Sequence, residues 1–224
     1  MNSINQKIDR AFQYLGCAED MDYIGESVSQ LEHALQCAYF AEQAGHNLEV
    51  ILACLFHDIG HFIPGTQQNM MADLGVVHHE WLGAQLAYSL GFSAKIALLI
   101  GNHVNAKRYL AAKKKDYYAR LSAASRQTLI FQGGVMSDDE MLNFERNIYF
   151  KDILRVRVND EKAKQIDLQV PALTYYRPYL YKHFEATMRP TENLVLPDFV
   201  DNTWVEQFKA LLENDCNAVS YGQF

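Results

Sequence analysis

The sequence predicts an all-α protein. Apolar residues recur at three- and four-residue intervals from end to end, and alternating strand-like stretches with Asn-Gly or Asp-Gly turns are nearly absent. Helix-start signals, Ser followed three residues later by Glu or Gln, punctuate the same pattern.

The elements follow in order. A first helix carries Ile4, Ile8, Phe12 and Leu15 on one face. A second is expected to open with a capping box in Ser27-Val28-Ser29-Gln30 and to stop near Gly45. A third is expected from Leu48 to Phe62, capped by Asn47 and terminated by Pro64-Gly65; apolar nearly all round at its start, it reads as the buried central helix. A fourth ends at Leu90-Gly91, and a fifth begins after Ser93 and carries Ile96, Leu99, Ile100 and His103. Ser137-Asp138-Asp139-Glu140 is another capping box, starting a helical region that reaches Gln165, and Pro171 precedes a further helix ending near Met188. After Arg189 the chain turns polar, with Pro190 and Pro197, before Trp204, Phe208 and Leu211 return at helical spacing. We therefore divide it into a domain, 1–188, and a C-terminal extension, 189–224, packed on the core.

Composition bounds the function. Of 224 residues, 49% are hydrophobic and 21% charged, the balance of a globular chain with one core. The longest apolar run, Val50 to Phe56, is too short to span a bilayer, and no signal-peptide pattern opens the chain, so a cytoplasmic protein without a membrane partner is expected. Cys17, Cys37, Cys54 and Cys216 have no C-x-x-C spacing, which excludes a zinc finger or disulfide scaffold. A net charge of −7 disfavours nucleic acid as a partner, while a small anion can still bind where bases gather locally. Lys113-Lys114-Lys115 reads as a solvated face.

The informative residues are imidazoles and carboxylates spread over several helices: His33, His57-Asp58, His61, His79, His103 and Asp160. A carboxylate inside the apolar helix that holds Asp58 needs a cation or several donors to offset its desolvation. Mixed imidazole and carboxylate donors without thiolate suit iron-like ions rather than structural zinc. Asp58 has two oxygens and could bridge two metals, with His78 only a neighbour of His79. Lys107 follows His103 by four residues and shares its helix face, where an ammonium can pair with an anion near the metals. His61, one turn after His57, and Ser125 with Thr128, one turn apart, could face the same anion.

The order His33, His57-Asp58, Asp160 resembles the HD superfamily of metal-dependent enzymes, and His79 with His103 matches its two-metal branch. Further stretches narrow the resemblance: Asp22-Tyr23-Ile24-Gly25-Glu26, Gln30-Leu31-Glu32-His33, His57-Asp58-Ile59-Gly60-His61, Gly101-Asn102-His103-Val104 with Ala106-Lys107-Arg108, and Ala124-Ser125-Arg126 with Gln132-Gly133-Gly134. Over roughly residues 20 to 188 the chain resembles the mixed-valence diiron oxygenases, the family of the glycine-forming 2-amino-1-hydroxyethylphosphonate dioxygenases and of myo-inositol oxygenase. The resemblance implies two iron ions, Fe(II)/Fe(III), with His33, His57, Asp58 and Asp160 on one and Asp58, His79 and His103 on the other. It also implies that Tyr23 ligates iron until substrate enters, that Glu26 receives the substrate ammonium, and that His61, Lys107, Ser125 and Thr128 surround a phosphonate group. The implied partners are a small aminophosphonate and O2, and the implied reaction is oxidative cleavage of a C–P bond. The alternative is an HD phosphohydrolase acting on a phosphate ester or nucleotide with the same ligands. The oligomeric state is left open.

Overall fold

A computed structural model describes residues 3–17, 27–64, 71, 75–194 and 201–221, with side chains described as far as 217. Among these residues the chain forms twelve α-helices and no extended sheet, as the sequence predicts. Tyr23 and Glu26 lie outside the described residues.

The core is built around α3 (Leu48–Phe56). Every residue from Val50 to Phe56 is buried, so this helix has no solvent face and must be covered on all sides. Helix α2 (Gln30–Gln43), α5 (Ala94–Gly101) and α10 (Phe150–Lys162) pack against it, and α4 (His79–Ser89) packs on α5. Helix α1 (Ile4–Gly16) lies on α11 (Arg177–Thr187), burying Ile8, Ala11 and Leu15. Helix α6 (His103–Lys113) bridges to α7 (Lys115–Arg120) and α10. Helices α8 (Ala123–Phe131) and α9 (Asp138–Glu145) are more peripheral, each burying a single residue, Leu129 and Phe144. The last helix, α12 (Asn202–Tyr221), lies on α5 and adds Val205, Phe208, Leu212 and Cys216 to the core.

Side-chain caps set most helix starts. Ser93 Oγ accepts from Ile96 N–H, Asn47 Oδ1 from Val50 N–H, and Ser137 with Glu140 forms the expected reciprocal box. The box on α2 is Ser29 with Glu32 rather than Ser27 with Gln30, because the helix starts two residues later and Gln30 turns inward as a buried side chain.

Two expected helices are broken, and both breaks fall at the site. The third helix stops at Phe56; Asp58 takes φ −99, ψ 8 and a 3₁₀ turn, Ile59–Phe62, follows. At Gly60 the chain lies so close to α4 that a Cβ there would meet the His79 carbonyl oxygen at 1.9 Å, which only glycine allows. The fifth ends at Gly101, and after Asn102 a new helix begins with His103. A Cβ on Gly101 would stand 2.5 Å from the Trp81 ring. The helical region expected from Ser137 to Gln165 is two helices, α9 and α10, separated at 146–149. Lys113, Lys114 and Lys115 are exposed.

Candidate metal centre

Five elements deliver the predicted donors to one buried place. His33 comes from the first turn of α2, His57 and Asp58 from the break after α3, His79 and His103 from the first residues of α4 and α6, and Asp160 from the last turn of α10. All six are buried. The helix breaks matter here: a continuous α-helix would point successive side chains 100° apart, whereas the bend at Asp58 lets both His57 and Asp58 face the same space.

The donor atoms form two clusters sharing Asp58. In the first, Asp58 Oδ2 is 3.2 Å from His57 Nε2 and 3.6 Å from His33 Nε2, and Asp160 Oδ1 is 3.4 Å from His33 Nε2. The two imidazoles bring their Nε2 atoms to 3.0 Å. In the second, Asp58 Oδ1 is 3.5 Å from both His79 Nε2 and His103 Nε2, which are 3.3 Å apart. Separations of this size are those of ligands around one ion held about 2 Å from each. Asp58 therefore offers one oxygen to each cluster.

Hydrogen bonds behind the rings select the tautomer. The Nδ1 of His33, His57, His79 and His103 lies against the carbonyl oxygens of Ala163 (2.7 Å), Cys54 (2.8 Å), Val76 (3.2 Å) and Ile100 (2.7 Å). Each Nδ1–H donates outward, which turns the Nε2 lone pair inward. Asp160 Oδ1 is buried with no hydrogen-bond partner, and so aims an orphaned oxygen at the first cluster. Bare nitrogens at about 3 Å and an orphaned carboxylate oxygen repel one another unless a cation stands between them; the residues fit a pair of metal ions.

The protonation pattern of the metal-free cluster agrees. Burial lowers His79 to about 3, with crowding by His61 adding to it, and burial and His57 lower His103 to about 4. His57 goes the other way: burial opposes its charge, but Asp58 and Asp160 outweigh burial and raise it to about 10. Burial likewise opposes the Asp58 charge, yet His57, His103 and His79 hold the carboxyl well below its ordinary range. One proton on His57 thus fills the role of a cation, and a metal would displace it.

His61 is oriented differently. Its Nδ1 accepts from Val76 N–H at 3.3 Å and its ring stacks on His79 at 4.0 Å, so the neutral ring carries its proton on Nε2. It is built as a donor, although Asp58, His61 and His79 also offer atoms within 4.8 Å of one another. The 3₁₀ turn, not an α-helical turn from His57, places it there. A cavity beside the second cluster is lined by Asp58, His61, His79, His103, Lys107, Ser125, Thr128, Arg157 and Asp160. Lys107 is buried and donates to Thr128 Oγ1 at 2.9 Å.

Sequence reading missed Arg157. Its Nη1 holds Asp160 Oδ2 at 2.5 Å, its Nη2 holds Glu161, and its Nε donates to Tyr117 Oη at 2.8 Å. Asp160 is thereby left with only Oδ1 for a metal. The i,i+3 spacing of Arg157 and Asp160 was the available signal. Gln30 and Gln132, which also line the cavity, lie in stretches that carry the family resemblance, and that was their signal.

The twelve helices among the described residues and the buried histidine–aspartate cluster between them define an HD-type metal protein, and the HD domain model matches residues 31–126. The chain is 42% identical to the uncharacterized protein L432 of Acanthamoeba polyphaga mimivirus, over 74% of this chain and 76% of that one. It is 39% identical to the [1-hydroxy-2-(trimethylamino)ethyl]phosphonate dioxygenase (glycine-betaine-forming) of Leisingera caerulea, over 75% of this chain and 86% of that one. With the hydroxymethylphosphonate dioxygenase of Gimesia maris the identity is 40%, over 69% and 77%. The chain belongs to the HD-domain family that contains these phosphonate dioxygenases.

Proposed function

We propose that this protein is a diiron oxygenase that uses O2 to break the C–P bond of a small 1-hydroxyphosphonate, with (R)-2-amino-1-hydroxyethylphosphonate, or an N-substituted analogue, as substrate and glycine and phosphate as products. The observation that carries the reading is Asp58, whose two oxygens face two separate donor clusters beside a cavity furnished with donors for an anion. Two phosphonate dioxygenases at about 40% identity support the reading.

His33, His57, Asp58 and Asp160 would hold one iron, and Asp58, His79 and His103 the other. A phosphonate has no oxygen between carbon and phosphorus, so its hydrolysis would expel a poor carbanion, and the iron pair would supply redox chemistry that oxidises the carbon instead. The chain's own residues orient the substrate. His61 Nε2–H, the Lys107 ammonium and the Ser125 hydroxyl present donors to the phosphonate oxygens. Arg157 engages Asp160 Oδ2, so Oδ1 is the oxygen that this carboxylate would offer to an iron. Tyr23 as a resting ligand and Glu26 as the ammonium partner complete the proposal. The named relatives differ in what hangs on the second carbon, trimethylamine in one and no second carbon in the other, so substrate selection falls to that side of the site.

Iron-loaded protein incubated with the aminophosphonate and O2 should release phosphate and glycine together. Undiminished phosphate release without O2, or with zinc or magnesium replacing iron, would show a phosphohydrolase instead.

A further inference from the structure

The two hydroxyls of the cavity are not equivalent, and the difference is set by two lysines. Thr128 Oγ1 accepts from Lys107 Nζ at 2.9 Å and donates its own proton to the Ser125 carbonyl at 3.2 Å, one turn back along α8. Its hydrogen is committed to the backbone. Ser125 Oγ accepts from Lys164 Nζ at 3.2 Å, and its hydroxyl proton has no acceptor among the described residues. A hydroxyl has one proton to give, so a cation donating to its oxygen turns that proton away from the cation and, here, toward the cavity that Ser125 lines.

Lys164 is held for this task. It follows the last turn of α10 and reaches Glu161 Oε1 at 3.4 Å; Glu161 is in turn gripped by Arg157 Nη2 and approached by Tyr117 Oη at 3.4 Å. On either side of it the backbone is tied to α2. The Ala163 carbonyl meets His33 Nδ1, and Gln165 exchanges two hydrogen bonds with the Gln36 amide, at 2.8 and 2.9 Å. The segment 160–165 therefore joins a metal-facing carboxylate, the support of a metal-facing histidine and the cation behind Ser125.

We propose that Lys164 is a positioning residue of the anion pocket: by donating to Ser125 Oγ it commits the Ser125 hydroxyl to the bound anion, whereas Thr128 serves to hold Lys107 and does not itself donate to the anion. The assignment rests on the cavity being the site of the substrate's phosphonate. It also places a second positive charge behind Ser125, which favours a doubly charged anion over a singly charged one.

The test is calorimetric binding of methylphosphonate to the iron-loaded protein without O2, with thermal midpoint and iron content measured for each variant. Lys164→Met is expected to weaken binding about tenfold, matching Ser125→Ala, and the double variant is expected to be little weaker than either single. Lys164→Arg, which keeps a donor and a charge, should stay within about threefold of wild type. Thr128→Val should weaken binding in the wild-type background but add nothing to Lys107→Met. In turnover, Lys164→Met should raise KM and leave kcat in place, which a general loosening of the fold would not do. Wild-type affinity in Lys164→Met, or additive losses in the Lys164→Met/Ser125→Ala pair, overturns the role given to Lys164. A failure of the wild type to bind methylphosphonate overturns the anion pocket itself, a result that the variants do not mimic.

Discussion

Replacing Lys107 with methionine should make the metal-free protein more stable while disabling it. The side chain is only 4% exposed, and burial first, with the Arg157 guanidinium second, lowers its ammonium from 10.5 to about 7 despite Asp160, Glu80 and Glu161 nearby. A lysine whose folded value lies below its unfolded one destabilises the fold wherever the unfolded chain holds the extra proton. The cost is therefore full below pH 7, shrinks as pH rises, and vanishes above about 10.5. At about 1.36 kcal/mol per pH unit it amounts to roughly 4 kcal/mol at neutral pH. Methionine has similar length and no charge, but gives up the bond to Thr128, worth about 1 kcal/mol. The net gain is roughly 3 kcal/mol, or about 6–12 °C in the melting point of a domain this size. Thermal melts of chelator-treated protein at pH 6.5 and 9.5 check it, since the gain should be near zero at the higher pH. A Lys107→Met variant no more stable than wild type at pH 6.5, or equally favoured at both pH values, would refute the reasoning. The same change should weaken substrate binding by roughly 1.5–3 kcal/mol with iron content unchanged.

Other perturbations address the metals and the frame around them. Asp58→Asn keeps the shape and removes the charge that the two donor clusters share, so metal analysis after desalting should find one ion or none per chain; two ions with activity intact would remove Asp58 from the site. Gly60→Ala would drive a methyl into the His79 carbonyl, and should cost metal from the second cluster or prevent folding, checked by circular dichroism and metal analysis. Turnover should stop without O2 and return when it is readmitted. Tyr23→Phe should abolish any phenolate-to-iron absorption of the resting enzyme, and Glu26→Ala should erode discrimination between primary and trimethylated amines; an unchanged spectrum or unchanged selectivity would remove the respective residue from its role.

The sequence by itself determined the helical class, the starts of α3, α5 and α9, and the identity of the buried donors. Those properties are local or compositional: Asn47 caps Val50 three residues away, and an aspartate beside a histidine in an otherwise apolar stretch is conspicuous wherever the chain places it. Tertiary structure decided the rest. The third and fifth helices read as continuous because periodicity runs across Asp58 and Asn102, and only packing against α4 and Trp81 shows why the chain must bend there. The capping box of the second helix was read two residues early, as Ser27 with Gln30, because that spacing also fits the pattern; in the structure Ser29 pairs with Glu32 and Gln30 is buried. The pairwise chemistry of two residues went unread, one beside its partner on the same helix and one far from it in the chain. Arg157 narrows Asp160 to a single oxygen, and Lys164 turns the Ser125 proton across a gap of 39 residues. Each is a hydrogen bond whose meaning lies in which donor is already engaged, and a one-dimensional pattern holds residue types and spacings but not the directions in which their protons point.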